Sequence, residues 1–446
     1  MPRDGAHHVV IIGGGFGGLH VAKTLKKAPV RVTLLDRRNF HLFQPLLYQA
    51  ATGIICPGEI ASPLRHILRR QKNTGVLLAE VIDIDPAGKA VILADGRIEY
   101  DTLIVATGME NDYYGHESWM LHAPGLKTIE DSAKIRQKIF FAFEVAEREE
   151  NPEARRDWLT FVIVGSGPTG VELSGMVSEI AKKTLREDFR SIRPEESKII
   201  LVDLAERILP SYPPDLSMKA GKSLERLGVT IQTGVRVQSI DDCGVVIEGA
   251  FGREKIGAKT ILWAAGVAAS PLGGRLAEKT GIPLDGSGRV MVSPDCTIPG
   301  HPDIFVIGDL ACMPGPDGSP LPGVAPVATQ QGRYVARTIL ARLSDSKPLP
   351  AFVYFDKGTL AVIGRNAAVA DIGKLHFSGF TAWLLWLFVH LMLLVEFENR
   401  VVVFIRWAFQ YFTFSRGSRQ LNAEGLLSLP LTNCDIDTKE GTSGKS

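Results

Sequence analysis

The glycine pattern after the first apolar run constrains this chain most. Residues 9–12 are apolar and lead into Gly13, Gly15 and Gly18, in the spacing G-x-G-x-x-G, before a helical stretch resumes. Between a strand and a helix, the first glycine permits the turn, the second lets a pyrophosphate approach the backbone, and the third lets the helix pack closely. The next apolar run ends in Asp36, where a carboxylate can bind ribose hydroxyls. We therefore predict a dinucleotide site at residues 13–36.

The same pattern recurs in the middle of the chain. The apolar run at residues 160–164 is followed by three glycines in the same spacing, Gly165, Gly167 and Gly170. The next strand-like run ends in Asp203, and a carboxylate there favours NADH over NADPH because it repels a 2′-phosphate. The nearby Arg207 leaves this preference open. The sequence therefore predicts two nucleotide sites.

Three further strand-like runs end in small or acidic residues. One ends in Thr107 and Gly108, one in Gly266, and one in Asp309. In a doubly wound sheet such strand ends lie at the ligand edge, and Asp309 could bind the ribityl hydroxyls of a flavin. Residues 37–53, which end in Thr52 and Gly53, combine aromatics, amides and small residues. This segment either lines a flat aromatic ligand or forms an irregular core loop.

Length and composition limit the other possibilities. The 446 residues are enough for about three domains. A net charge of +1 gives no support for nucleic-acid binding. The five cysteines form no close pair, so we expect neither a disulfide framework nor a metal site, and a reducing compartment is the simpler interpretation. We also expect no signal peptide, because the first apolar run ends within four residues in glycines.

The C-terminal part indicates a hydrophobic partner. Between Phe380 and Val395 only Thr381 and His390 are not apolar, and these sixteen residues fall short of a membrane span. Residues 400–420 contain four arginines and no acid. Aromatics beside arginines favour helices that lie in the interface of an anionic leaflet, with a hydrophobic dimer interface as the alternative. The polar tail from Pro430 is expected to be disordered.

Two single features are ambiguous from chemistry alone. Glu172 would either complement the helix dipole in the first turn after Gly170, or contact nicotinamide or serve as a proton relay beside a flavin. Ser62 and Pro63 predict a helix start, with the serine as cap.

The motifs together resemble those of flavoproteins with two dinucleotide domains, in which FAD occupies the first site and a nicotinamide dinucleotide the second. Residues 39–53, Trp263–Val267 and the run Ala-Pro-Val-Ala-Thr-Gln-Gln-Gly at 325–332 resemble the type II NADH:quinone oxidoreductases, over about residues 7–420. The family's quinone motif has glutamine where this chain has Pro326. Cys56 has no cysteine five residues to either side, so the chemistry of the dithiol branch is excluded.

The resemblance implies an α/β fold with two Rossmann-like dinucleotide-binding domains and a C-terminal membrane-associating helical region. The expected domains are a split FAD-binding domain (1–112 and 284–345), an inserted NADH-binding domain (113–283), a membrane-binding region (346–429) and a disordered tail (430–446). It also places Glu172 near flavin and nicotinamide, and Gln330 and Gln331 next to the quinone. For those glutamines a capped helix start is the alternative.

The implied function is NADH oxidation with two-electron reduction of a membrane quinone through bound FAD, without proton pumping. The expected location is the cytoplasmic face of the cell membrane, with a possible homodimer. An NADH oxidase, a ferredoxin-type reductase and a membrane-attached NADH-sensing flavoprotein are the alternatives.

Overall fold

The first part of the chain begins the sheet that carries the first glycine turn. The computed structural model describes residues 5–413 and 416–421, so the predicted tail at 430–446 lies outside the described residues. The strands of this part are β1 (His8–Ile12), β2 (Arg31–Asp36), β3 (Phe40–Leu42), β4 (Ala61–Pro63), β5 (Thr74–Leu78), β6 (Val81–Asp85), β7 (Ala90–Leu93), β8 (Gly96–Glu99), β9 (Thr102–Val105) and β10 (Met109–Asn111). Its helices are α1 (Phe16–Thr24), α2 (Leu47–Ala51), α3 (Pro57–Ile60) and α4 (Leu64–Leu68).

The middle part forms a second parallel sheet. Its elements are α5 (Ile129–Arg148), α6 (Pro152–Trp158), β11 (Thr160–Val164), α7 (Pro168–Glu179), β12 (Lys198–Val202), α8 (Pro214–Leu227), β13 (Val229–Gln232), β14 (Arg236–Asp241), β15 (Gly244–Gly249), β16 (Gly252–Gly257), β17 (Thr260–Trp263), β18 (Val267–Ala269) and α9 (Pro271–Thr280). The parallel strands lie in the order β13-β12-β11-β17. The short antiparallel pair of β10 and β18 joins this part to the first.

The chain then returns to the first sheet. The elements that follow are β19 (Val290–Met291), β20 (Thr297–Ile298), β21 (His301–Val306), β22 (Ala311–Cys312) and α10 (Ala325–Leu343). Strand β21 pairs parallel with β9, so a six-stranded sheet in the order β20-β21-β9-β1-β2-β5 combines strands from both sides of the middle part. Helix α10 lies directly on α1, because a Cβ at Gly332 would approach the Gly17 carbonyl oxygen to 2.4 Å. The predicted α/β class with two dinucleotide-type sheets is confirmed.

The last part is a three-stranded antiparallel sheet followed by two helices. They are β23 (Thr359–Gly364), β24 (Ala367–Ile372), β25 (Leu375–Gly379), α11 (Phe380–Leu393) and α12 (Phe397–Thr413). Strand β23 packs tightly on α7, since a Cβ at Gly175 would overlap the Ile363 carbonyl oxygen. Within the described residues, neither α11 nor α12 nor any other helix combines the length and apolar character needed to cross a membrane.

The predicted helix start at Ser62 is wrong. Ser62 lies in β4, which pairs antiparallel with β3, and the helix begins at Leu64 with Pro63 as its extended cap residue. The Ser62 hydroxyl accepts a hydrogen bond from the Asn399 side chain at 3.1 Å, so a partner 337 residues away uses the atom that would have capped the helix.

The four arginines at positions 400, 406, 416 and 419 all make hydrogen bonds or ion pairs within the protein, and their contact with an anionic leaflet stays a prediction. Arg400 donates to the Leu394 carbonyl, Arg406 pairs with Glu59, and Arg419 pairs with Asp188. Arg416 is fully buried. The contacts of Arg406, Arg416 and Arg419 therefore hold the C-terminal segment to the body of the molecule, while the side chains of Arg406 and Arg419 stay more than a third exposed.

Candidate functional site

The first glycine turn has the backbone geometry that a diphosphate requires. Gly13 has a φ of +102°, and a Cβ there would lie 2.4 Å from the Ala106 carbonyl oxygen. A Cβ at Gly18 would lie 1.9 Å from the Gly13 carbonyl oxygen, whereas the position above Gly15 is open, with nothing within 4 Å. Gly13 and Gly18, which have no room for a side chain, allow the tight turn. The open space at Gly15 lies at the N-terminus of α1, where backbone N–H groups can bind an anion.

Two carboxylates flank this turn. Asp36 accepts backbone hydrogen bonds from Gly14 at 2.6 Å and Arg38 at 2.7 Å. Burial raises the pKa of the Asp36 carboxyl, while those N–H groups oppose the rise. Burial also raises the pKa of Asp309, and the nearby Lys127 ammonium opposes it. Remaining lone pairs on both carboxylates can accept hydroxyl groups, as the sugar parts of a flavin dinucleotide would require.

The residues between these carboxylates also suit a flavin. The Thr107 hydroxyl is buried and has no protein partner among the described residues, so it is available to a ligand. Gly108 has a φ of +70° and open space where a Cβ would be. Thr52 uses its hydroxyl on the Tyr48 carbonyl oxygen at 2.9 Å, and Gly53 has a φ of +74°. The groups present therefore fit FAD, with an unpaired buried donor, an uncovered backbone and two sugar-binding acids around one glycine turn.

The second glycine turn repeats the first closely. Gly165 has a φ of +103°, and a Cβ there would lie 2.5 Å from the Ala264 carbonyl carbon. A Cβ at Gly170 would lie 1.7 Å from the Gly165 carbonyl oxygen, and Gly167 again faces open space. Asp203 accepts the N–H groups of Ser166 and Ala205, as Asp36 does in the first turn. This site therefore fits a second dinucleotide.

The basic residue near Asp203 is already used by the protein. Arg207 donates to the carbonyl oxygens of Tyr212 at 2.7 Å and Pro210 at 2.8 Å. A guanidinium held by two backbone carbonyls is not directed at a 2′-phosphate, and Asp203 would repel one. The geometry thus favours NADH over NADPH.

Gly266 lies where the two parts of the molecule meet. A Cβ there would come 2.5 Å from the Asp112 carbonyl oxygen and 3.0 Å from the Tyr114 ring. Tyr114 has a φ of +53° and donates its hydroxyl to the Ala265 carbonyl. The sequence gives no sign of this contact of Tyr114, because a positive φ at a tyrosine cannot be predicted from the neighbouring residues.

Glu172 is not in the first turn of α7, so the predicted dipole role is wrong. Its carboxyl is buried, and Val362 of β23 donates an N–H to Oε1 at 3.4 Å. Burial raises the pKa of Glu172 well above its usual value. The group is therefore suited to hold a proton within the protein.

The raised pKa of Glu172 has a consequence for stability. The folded protein holds this proton at pH values where the unfolded chain, with an ordinary pKa near 4.5, has lost it. Stability from this group is thus present at acidic pH and falls as the pH rises above about 4.5. Glu172→Gln removes this titration. The Tm of the variant minus the Tm of the wild type should therefore increase by about 2 °C or more from pH 5 to pH 8.

Scanning calorimetry across that range measures the effect. The control is Glu150→Gln, which removes an exposed carboxylate and should show a constant difference from wild type. A Glu172→Gln difference that also stays constant with pH would show that the folded protein does not raise this pKa.

Gln330 and Gln331 lie within α10, whose cap residue is Val324, so the capped helix start is wrong for them. Gln331 is buried, and its Oε1 accepts the N–H of Gly308 at 2.7 Å, next to Asp309. The Gln330 amide binds both the carbonyl oxygen and the N–H of Phe355. Gln331 thus fixes backbone beside the first nucleotide site, Gln330 fixes the backbone at Phe355, and the quinone role of both stays a prediction.

Sequence reasoning also missed Arg416. It donates to the Thr52 carbonyl at 2.8 Å and the Met176 carbonyl at 3.3 Å, and it lies 3.5 Å from the Glu179 carboxylate. Burial lowers the pKa of Arg416 to about 10, with Glu179 opposing. A lone arginine after a helix gives no local signal of such a position. Arg416 thus links the loop at Thr52, beside the first nucleotide site, to helix α7, which follows the second glycine turn.

Family profiles match most of the chain. Residues 7–332 match the pyridine nucleotide-disulphide oxidoreductase family, and residues 357–416 match the NDH2 C-terminal domain. Within residues 5–413 and 416–421, Cys56, Cys296 and Cys312 are free thiols.

Curated relatives and solved structures agree with these profiles. Type II NADH:quinone oxidoreductase Ndh of Mycobacterium tuberculosis is 45% identical over 92% of this chain and 89% of the relative. A type II NADH:quinone oxidoreductase of Staphylococcus aureus is 29% identical, covering 82% of this chain and 89% of its own. Plasmodium falciparum NDH2 in complex with NADH has a TM-score of 0.86 at 20% identity, over 93% of this chain and all of that one. A sulfide:quinone oxidoreductase from Aquifex aeolicus has a TM-score of 0.72 at 18% identity, over 91% and 95%.

Proposed function

This chain belongs to the type II NADH:quinone oxidoreductases, and from that premise we propose how its residues divide the reaction NADH + H⁺ + quinone → NAD⁺ + quinol. FAD is held at the first glycine turn by Gly13, Gly15, Gly18 and the carboxylates of Asp36 and Asp309. NADH occupies the second, at Gly165–Gly170 and Asp203. The observation that carries this assignment is the pair of near-identical turns, of which the first lies beside a second acid, Asp309, and the unpaired buried hydroxyl of Thr107, whereas, among the described residues, the unpaired buried hydroxyl at the second turn is that of Ser166.

When bound, FAD supplies the two-electron chemistry that connects a hydride donor with a quinone. The protein orients the partners and manages the protons. Glu172 keeps a proton in the wall between α7 and β23, within the protein and away from bulk water. Gln331 fixes the turn that presents Asp309, and Gln330 fixes the segment at Phe355. We propose that the quinone approaches from this side of the molecule.

The membrane would be contacted by the two last helices. Both expose a row of large apolar side chains: Phe380, Leu384, Phe388, Met392, Leu393, Phe397, Val401, Phe404, Ile405, Phe409 and Phe412. Such a continuous apolar surface on a monomer marks an interaction site. We propose monotopic attachment to the cytoplasmic face of the cell membrane, where NADH is available and quinone is dissolved. A homodimer through the same surface is the alternative use, and vesicle binding separates the two.

The nucleotide preference gives a further prediction. In this proposal the carboxylate of Asp203 binds the ribose of NADH and repels the 2′-phosphate of NADPH. Asp203→Asn should therefore reduce the preference for NADH over NADPH about tenfold, which corresponds to about 1.4 kcal/mol. The ratio of kcat/KM for the two nucleotides measures it. Glu254→Gln, which removes an exposed carboxylate from β16, should leave the ratio unchanged. An unchanged ratio in Asp203→Asn would place the ribose elsewhere.

One steady-state comparison tests the function itself. The purified protein should oxidise NADH rapidly with a soluble quinone and slowly with oxygen or ferredoxin. Equal rates with oxygen would favour an NADH oxidase, and preferential ferredoxin reduction would favour a ferredoxin-type reductase. Slow reoxidation by every acceptor would favour the sensing flavoprotein.

A further inference from the structure

A tyrosine with an unfavourable backbone conformation lies beside the second glycine turn. Tyr114 follows β10 and has a φ of +53°, in the left-handed region that residues with a Cβ rarely adopt. A glycine would take this φ without cost, as Gly115 does at +84°. The backbone therefore does not require a tyrosine at this position. Strain of this kind indicates that the side chain itself has a function.

Contacts on three sides fix the Tyr114 side chain in place. Its hydroxyl donates to the Ala265 carbonyl oxygen at 3.0 Å, and its backbone N–H donates to Asp112 Oδ1 at 2.8 Å. The Trp263 ring meets the Tyr114 ring edge-on, with 6.3 Å between the centroids. The Trp263 indole in turn donates to the Asp112 carbonyl oxygen at 2.8 Å. The tyrosine therefore stands on a rigid base.

The same side chain is largely open to solvent. Tyr114 is 63% exposed, although its ring approaches the position of a Cβ at Gly266 to 3.0 Å. An aromatic ring that is already fixed loses little conformational freedom when a ligand covers it. The exposed ring is therefore a preformed surface for a flat or apolar part of a ligand.

The strand order of the second sheet shows which part of a dinucleotide lies at this ring. The order is β13-β12-β11-β17, and Asp203 follows β12, the glycine turn follows β11 and Ala265 follows β17. A dinucleotide with its adenosine ribose at Asp203 and its diphosphate at the turn extends its other half over β17. Ala265 adjoins the turn, because a Cβ at Gly165 would lie 2.6 Å from its Cα. Tyr114 thus lies on the nicotinamide side.

The ring of Tyr114, and not its hydroxyl, is the part left for a ligand. Burial raises the pKa of the Tyr114 phenol, and the carboxylates of Asp112 and Asp203 raise it further. The phenol therefore keeps its proton and continues to donate it to Ala265. Tyr114 also directly follows the strand pair β10 and β18, which joins the two nucleotide-binding parts. A ligand half that packs on this ring is therefore held next to the connection between the two sites.

We propose that the Tyr114 ring packs against the nicotinamide half of NADH and holds it toward the first nucleotide site. This inference rests on the proposed function. It divides the binding of NADH between two groups of residues: Asp203 and Gly165–Gly170 bind the ADP half, and Tyr114 binds the other half. Loss of the ring should therefore weaken the binding of the whole dinucleotide without weakening that of ADP.

Nucleotide binding to the FAD-loaded protein tests this division in the absence of quinone. Tyr114→Gly removes the ring and suits the positive φ, and it should raise the Kd for NAD⁺, measured by calorimetric titration, about tenfold. The inhibition constant of ADP against NADH should stay at the wild-type value. Tyr114→Phe keeps the ring, so its Kd for NAD⁺ should stay within about twofold of wild type. Leu121→Ala, at an 81% exposed leucine of the same connection, is the matched control.

The flavin signal gives a second measurement. In Tyr114→Gly the rate of flavin reduction by saturating NADH, followed by stopped flow without oxygen, should fall about tenfold, because the nicotinamide is no longer held in place. Reoxidation of the reduced flavin by menadione should keep its wild-type rate. The FAD content should also stay at the wild-type value, and the Tm should stay within about 2 °C, because relief of the strained φ offsets the contacts that are lost.

The possible results are distinct. A Kd for NAD⁺ in Tyr114→Gly that equals that of Leu121→Ala overturns the inference. An equal loss of affinity for NAD⁺ and ADP also overturns it, since the tyrosine would then support the whole site. An unchanged Kd for NAD⁺ in Gly170→Ala overturns instead the proposed placement of NADH at the second turn. If Tyr114→Gly does not retain FAD, the same measurements on Tyr114→Ala decide.

Discussion

Gly18→Ala is expected to give a protein that does not retain FAD. The new Cβ would lie 1.9 Å from the Gly13 carbonyl oxygen, and backbone cannot yield as the end of a flexible side chain can. The turn must open, and the start of α1 then loses the alignment of N–H groups that receives the diphosphate. Flavin absorbance per protein after gel filtration should fall below about a tenth of the wild-type value, and all NADH-dependent activity should fall with it.

The corresponding change in the second turn should have a different result. Gly170→Ala brings a Cβ to 1.7 Å from the Gly165 carbonyl oxygen, yet it leaves the first sheet untouched. FAD should be retained, while the KM for NADH should rise at least tenfold. Gly58→Ala is the control, because nothing lies within 4 Å of the added carbon. If Gly170→Ala lost FAD and Gly18→Ala kept it, the two assignments would be reversed.

The second large effect concerns the apolar surface of α12. Replacing Phe404, Phe409 and Phe412 together by serine removes three exposed rings, each contributing about 1.5 kcal/mol when buried in lipid. Binding to neutral phosphatidylcholine vesicles should weaken about a thousandfold. Sedimentation with vesicles measures this. Phe251→Ser is the control, since Phe251 is fully exposed at the turn between β15 and β16.

The salt dependence distinguishes apolar from electrostatic attachment. The four arginines of this region make hydrogen bonds or ion pairs within the chain: Arg400, Arg406, Arg416 and Arg419. Wild-type binding to vesicles should therefore change little between about 50 and 500 mM salt. A steep loss of binding with salt, or a triple variant that binds as the wild type does, would contradict attachment through the apolar surface.

The two glycine turns could be predicted because their determinants are local. Each turn depends on a glycine spacing, the strand before it and the acid at the end of the next strand. These features lie within about forty residues, and each predicts a particular local structure. The return of the chain to the first sheet was expected from the family resemblance and not from the glycine pattern. Asp309 was proposed as a ligand residue for a similar reason, because it follows the end of a strand in a chain with two such turns.

The remaining features depend on partners far apart in the chain. Arg406 pairs with Glu59 across 347 residues, and Arg416 binds Thr52 across 364. Charge composition cannot show which carboxylate or carbonyl these arginines meet. The helix-dipole alternative for Glu172 and the capped-start alternative for Gln330 and Gln331 failed because the helices begin at Pro168 and Ala325, which places these residues beyond the first turn.

The division of the first sheet between two distant segments also bears on how the protein matures. Strand β21, Asp309 and Gly332, which lies against Gly17, are synthesised about 300 residues after the first glycine turn. A chain still emerging from the ribosome has the diphosphate turn but lacks the sheet edge, the second acid and the helix that cover it. The surroundings of this turn are therefore completed late in synthesis, after the whole middle part of the chain has been made.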